Sequence, residues 1–152
     1  MNVCIGGTFD PFHRGHKVLI KKALELAGIN GSVFIGITSK EMLKNKKDVK
    51  PFKDRKRAVD QFISEDLPKN VTIKQIYDQY GPSINGNFDA IVVSPETKIT
   101  ALEINKKRKK IGKKPLKVVE IPFVLAEDNL PISSTRIKNK EIDENGNIVK
   151  QD

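Results

Sequence analysis

The stretch from Asn2 to His16, NVCIGGTFDPFHRGH, restricts the fold more than any other part of the 152-residue chain. Asn2-Val3-Cys4-Ile5 reads as a buried strand, and the paired Gly6-Gly7 that follow allow positive φ and close approach of the backbone to a ligand. Pro11 cannot continue a strand and disfavours helix at Asp10, so helix is expected from His13 or Arg14 onward. From there Leu19, Ile20, Ala23, Leu24 and Ala27 recur at helical spacing until Gly28. Strand, glycine turn and helix in that order aim the free N–H groups of a helix start at the carboxyl end of a strand. The helix dipole favours an anion there, and a phosphate fits.

His13 and His16 are the only histidines in the chain. If both lie in the first helical turn, both rings can face one bound group. Two other readings stay open on spacing alone: capping or surface histidines, and an H-x-x-H metal site. A single cysteine and the lack of a nearby Glu-x-x-His partner weigh against the metal.

The alternation continues along the chain. The apolar run 33–37 reads as a parallel strand buried on both faces, after which Thr38-Ser39 cap a short helix holding Glu41, Met42 and Leu43. In the lysine-rich segment 44–50, Lys44, Lys46 and Lys47 either point into the same crevice as His16 or lie in a solvated loop. Residues 51–54 introduce a helix with Ala58, Val59, Phe62 and Ile63 as its buried stripe, leaving Arg55 and Arg57 on other faces. Strands are expected at 71–76, 88–93 and 116–121, with a polar loop over 78–87. Ser94-Pro95-Glu96 has the form of a helix start, and that helix should run to about Ile111 and stop at Gly112. Ser133 caps a short last helix.

Five strands separated by helices predict an α/β fold, a Rossmann-like doubly wound five-stranded parallel sheet with ligands at its carboxyl ends. One domain is expected over 1–142, followed by a C-terminal tail at 143–152 that holds a small turn at Asn145-Gly146 or frays. No basic-then-apolar leader and no run of about 18 apolar residues is present, so a cytoplasmic protein with no membrane partner is expected. Cys4, the single cysteine, reads as a buried thiol. The net charge of +9 raises the question of nucleic acid, but the lysines between Lys106 and Lys114 have no interleaved aromatics for base stacking. A highly charged substrate suits the positive field equally well, and nucleic acid is not an expected partner.

The segment GTFDPFHRGH resembles the signature of the HxGH nucleotidyltransferase superfamily, with His13, Gly15 and His16 filling the pattern. The second half of that signature, ISST-x-[IV]-[RK], is matched by ISSTRIK at 132–138. Within the superfamily the chain is similar to archaeal phosphopantetheine adenylyltransferases. GGTFD, TS-x-E-M at 38–42, the arginines after Pro51-Phe52, IVVS-x-ET at 91–97 and KPLKVVEI carry that likeness over nearly the whole chain. Archaeal nicotinamide-mononucleotide adenylyltransferases share PFH-x-GH but usually open on GRFQ. Two departures stand out: Lys138 replaces an arginine common in the family, a point charge instead of a bidentate fork, and 94–98 replaces an arginine-rich turn of the bacterial enzymes.

The resemblance implies a nucleotidyltransferase that moves the adenylyl group of ATP onto 4'-phosphopantetheine, giving dephospho-coenzyme A and pyrophosphate. The alternatives are a nicotinamide-mononucleotide adenylyltransferase, a cytidylyltransferase, or a basic RNA-binding module on the same fold. Gly6, Gly7, Thr8, Phe9, His16, Ser133, Ser134, Thr135 and Lys138 are then expected at ATP, with His13, His16 and Lys138 as the catalytic set. His16 would serve the α-phosphate and His13 the α/β region, with phosphates favouring the protonated rings. Thr8, Asp10, Lys44 and Asn105 are expected at the acceptor, Asn105 through a pantetheine amide. Mg²⁺ is expected to travel with ATP, since no acidic cluster suggests a dedicated metal site. The oligomeric state is left open.

Overall fold

Alternating apolar residues build a sheet with two dry faces. The computed structural model of the protein describes residues 1–43, 48–64 and 70–150. In chain order these form β1 (Asn2–Gly7), α1 (Arg14–Ala27), β2 (Ser32–Thr38), a 3-10 turn (Lys40–Leu43), α2 (Phe52–Ser64), β3 (Val71–Ile76), β4 (Ala90–Val93), α3 (Lys98–Lys110), β5 (Lys117–Glu120) and α4 (Ser134–Lys138). The strands form one parallel sheet in the order β3-β2-β1-β4-β5. Val3, Ile5, Val33, Ile35, Ala90 and Val92 point to one face, where Leu19, Ile20 and Ala23 of α1 and Val59 of α2 cover them. Cys4, Ile91 and Val93 point to the other face, against Ala101 and Ile104 of α3 and Leu116. Ile20, Ile35 and Ile37 have no exposed surface, and burying each such side chain contributes roughly 1.5–3 kcal/mol.

A smaller cluster of Ala126, Ile132 and Ile142 anchors α4 and the chain beyond it. There the backbone reverses through Gly146, at φ 85°, and an isolated bridge pairs Ile142 with Ile148. The Glu144 carbonyl accepts the N–H of Arg14 at 3.0 Å, so this segment satisfies one of the unpaired donors at the start of α1. Among the described residues no helix is long and apolar enough to cross a membrane.

Two local expectations are corrected. Gly6 and Gly7 do not make the turn; both continue β1, paired in register with Gly36 and Ile37, and the left-handed residue is Phe9, at φ 55°. What Gly7 provides is room, because a Cβ there would lie 3.1 Å from the Phe9 ring. Ser94 does not cap α3 either. Its carbonyl accepts from Thr97 and Lys98, both at 3.1 Å, and its own N–H donates to Thr97 Oγ1 at 3.0 Å, so 94–97 closes into a separate turn and α3 starts after it.

Candidate active site

β1 feeds α1 on one face of the sheet and its neighbour β4 feeds α3 on the other, so the crevice between their carboxyl ends is where ligands bind in such folds. A cavity of about 600 Å³ opens there. His13, His16 and Thr8 line it from one side, and Ser133, Ser134 and Thr135 from the other.

The two histidines are set by helix capping. His13 is the N-cap of α1, and its Nδ1 accepts the N–H of Gly15 at 3.0 Å. Three residues on, His16 Nδ1 accepts the N–H of His13 at 3.2 Å, closing a reciprocal capping box in which imidazoles replace the usual hydroxyl and carboxylate. The rings stack with centroids 3.7 Å apart, and Phe9 and Phe12 flank His16 at 5.0 and 5.7 Å. With both Nδ1 lone pairs engaged, the hydrogen bonds assign the ring proton of each histidine to Nε2, which is left as a donor.

Burial pushes the His13 imidazole down to about 4 and that of His16 to about 3, the second lowered further by the charge of His13. Burial by itself thus keeps both rings neutral at pH 7, while the protonated rings expected from the sequence belong to the site with phosphates bound. An imidazolium needs a proton on Nδ1, which would place two N–H groups against each other in the cap. Neutral rings lose nothing as donors, since Nε2–H is already there. Gly15 completes the arrangement: a Cβ there would lie 2.8 Å from His13 Cε1.

The remaining expected residues fall into three groups. Gly6, Gly7 and Thr8 line the cavity, with Thr38 Oγ1 donating to Thr8 Oγ1 at 3.2 Å. Phe9 supports it from beneath, 1% exposed. Asp10 and Lys138 do not line the cavity, but they lie beside each other. Asp10 Oδ2 accepts the Lys50 N–H at 2.7 Å and lies 4.0 Å from Lys138 Nζ, which donates to the Asp48 carbonyl at 3.2 Å. The last helix thus reaches across to the first motif, while Arg136 turns away to Asp128 and Glu141. Lys44 lies outside the described residues. Asn105 is elsewhere: its amide donates to the Leu116 carbonyl at 2.9 Å and accepts the Leu116 N–H at 2.7 Å, closing the connection between α3 and β5. Asn105 does not line the cavity, and its amide is oriented by these two backbone bonds.

Two residues at the site escaped the sequence. Arg55, expected away from the buried stripe, is 1% exposed. Its guanidinium donates to the carbonyls of Thr8 at 3.2 Å, Thr38 at 2.8 Å and Lys50 at 2.8 Å, tying together the carboxyl ends of β1 and β2. Its position one turn before Val59 is the signal that could have found it. Gly36 is the other. It is the register partner of Gly6, and the space a side chain would take there is filled by Ile76, whose Cγ2 would lie 2.8 Å from a Cβ on Gly36. Among the described residues no group of three or more His, Cys, Asp or Glu side chains is placed to hold a metal ion.

Residues 4–140 match the family model described as cytidylyltransferase-like, which sets the class as nucleotidyltransferase. A phosphopantetheine adenylyltransferase from Methanosarcina mazei is 46% identical over 151 residues, covering 98% of this chain and 97% of the relative. Another, from Archaeoglobus fulgidus, is 41% identical over 150 residues, covering 98% of this chain and 100% of the relative. The crystal structure of a protein of unknown function from Archaeoglobus fulgidus matches with a TM-score of 0.72 at 38% identity, covering 80% of this chain and 89% of that one. The chain belongs to the phosphopantetheine adenylyltransferases of the cytidylyltransferase-like family.

Proposed function

We infer that the protein transfers the adenylyl group of ATP to 4'-phosphopantetheine, releasing pyrophosphate and giving dephospho-coenzyme A, a step of coenzyme A biosynthesis that we place in the cytoplasm. The observation that carries this reading is that both halves of the nucleotidyltransferase signature line one cavity. On one side Pro122, Phe123, Val124 and Ile132 offer an apolar surface for adenine. On the other, Gly6, Gly36, Phe34, Ile76 and Tyr80 form a lobe suited to a long, uncharged pantetheine arm.

The acceptor is itself a phosphate anion, so its oxygen attacks the α-phosphorus of ATP without a general base. The bond to the β-phosphate bridging oxygen breaks, and pyrophosphate leaves. What the protein supplies is alignment and donors for charge that grows on the α-phosphate. Nε2–H of His16 serves the α-phosphate oxygens and that of His13 the α/β region. Ser133, Ser134 and Thr135 hold the β- and γ-phosphates. Lys138 joins them by leaving the Asp48 carbonyl, a half-exposed contact that costs little to give up. Thr8 and Asp10 shape the place of the incoming phosphate, with a lysine of the 44–50 segment, Lys44 by our assignment, as counter-ion. Mg²⁺ enters bound to ATP phosphate oxygens, and no step here depends on it.

The test is pyrophosphate release, with product mass, for ATP and CTP against 4'-phosphopantetheine, nicotinamide mononucleotide and glycerol 3-phosphate. Release with ATP and 4'-phosphopantetheine, and a product of dephospho-coenzyme A mass, is expected. Turnover only with CTP or only with nicotinamide mononucleotide would replace this reading with one of its cousins.

A further inference from the structure

The arm lobe has a wall that is not part of the sheet. Residues 77–86 leave β3 after Ile76, whose side chain lies against Gly36, and return toward β4. Tyr80, Gly81 and Ser83 of this loop line the cavity together with Thr100 and Ile104 of α3. The loop lies directly on the end of β3, since a Cβ on Gly81 would come within 2.9 Å of Ile76 Cγ2.

Tyr80 and Ile84 pack it against the cluster that holds Ala101 and Ile104, and a buried cation ties its backbone to the same helix. Arg108, 4% exposed on α3, donates through Nη1 to the carbonyls of Ser83 at 2.8 Å, Ile84 at 3.2 Å and Gly86 at 3.0 Å. Its Nε donates to the Lys114 carbonyl at 2.8 Å, so the same guanidinium also holds the turn after α3. Lighter contacts from the same helix hold the first half of the loop. Tyr80 Oη donates to Glu103 at 3.0 Å, and Lys107 Nζ lies 5.3 Å from the centre of the Tyr80 ring. Asp78 Oδ1 accepts the N–H groups of Tyr80 and Gly81, both at 2.9 Å, which shapes the loop but does not attach it.

We propose that Arg108 is a positioning residue for the acceptor: by fixing loop 77–86 to α3 it sets the width of the lobe that holds the pantetheine arm. The helix that supplies one wall of the lobe also carries the clamp for the loop that supplies another. Arg108 does not itself line the cavity, so its effect on the arm passes through the loop it holds. The proposal rests on the reading of the acceptor given above.

A lysine cannot replace it, because one ammonium on a flexible stem does not fork across carbonyls of two separate loops. In Arg108→Lys the KM for 4'-phosphopantetheine is expected to rise about tenfold, while kcat and the KM for ATP stay within about twofold. The preference in kcat/KM for 4'-phosphopantetheine over 4'-phosphopantothenate, which lacks the terminal part of the arm, should shrink by about the same factor. Glu103→Ala and Tyr80→Phe, which remove opposite ends of the same lighter anchor, should shift the same KM in the same direction by about threefold, and they carry the test should Arg108→Lys not fold. An unchanged KM for the acceptor, or equal rises for acceptor and ATP, overturns the proposal and leaves the functional reading standing. Wild-type protein that releases no pyrophosphate with 4'-phosphopantetheine overturns both.

Discussion

His13 and His16 cap one helix together: their rings stack 19° from parallel, and the backbone N–H of His13 is held by Nδ1 of His16. The groups proposed to meet the α-phosphate are thus fixed by hydrogen bonds made as α1 forms, before any ligand arrives. Preorganised donors of this kind act without reorganising at the moment of reaction.

Removing one of them should be costly in rate and cheap in fold. His16→Ala is expected to lower turnover by about two orders of magnitude, equivalent to roughly 3 kcal/mol. The loss of its half of the capping box should cost only about 1 kcal/mol of stability. Steady-state pyrophosphate release and urea unfolding read the two effects separately, and near-normal turnover would remove His16 from the mechanism.

The buried neutral rings make stability depend on pH in a definite direction. Their folded values, about 4 for His13 and about 3 for His16, lie below the ordinary 6.5, so between these limits the unfolded chain binds more protons than the folded one. The contribution is fully present above pH 6.5 and is lost as the pH falls toward 4 and then 3. Urea midpoints measured from pH 7.5 to 4 should drop steadily below pH 6.5, and the drop should be shallower in His16→Gln. A midpoint that stays level over this range in the wild-type protein would contradict the neutral pair.

Arg55 holds two carbonyls at the ends of β1 and β2, and that of Lys50 before α2, from a buried position. Arg55→Met leaves those oxygens without their donor and is expected to cost about 3 kcal/mol. Arg55→Lys should recover little of this, because the fork geometry is what spans the strands. Unfolding free energies of the two variants decide it; full recovery by lysine would show that charge alone matters there.

Asn105 offers a contrast between a structural and a substrate role. Asn105→Ala leaves both polar groups of the Leu116 backbone unpaired, for a loss of about 1–2 kcal/mol, with the KM for 4'-phosphopantetheine unchanged. A raised KM with unaltered stability would restore the amide to the acceptor.

The sheet was legible because the apolar runs at 3–5 and 33–37, the alternation along 71–76 and the helical stripe from Leu19 to Ala27 are properties of local sequence. The first half of the candidate site was legible for the same reason: β1, Pro11 and the start of α1 are contiguous. What escaped depends on partners distant in the chain. Arg55 reads as surface until the carbonyls of Thr8 and Thr38 are brought over it. Gly36 gains meaning only from its register with Gly6. Asn105 looks available on an isolated helix and is taken up by Leu116 once β5 docks. Ser94 has every feature of a cap, yet the Thr97 hydroxyl closes the preceding turn first.

A crystal structure with a non-hydrolysable ATP analogue tests most directly whether the two distant motifs serve one triphosphate. The α-phosphate is expected within hydrogen-bond reach of Nε2 of His13 and His16, with the β- and γ-phosphates on Ser133, Ser134 and Thr135 and Lys138 Nζ turned from the Asp48 carbonyl toward them. A triphosphate that touches only one of the two motifs, or lies outside the cavity they share, would contradict the account.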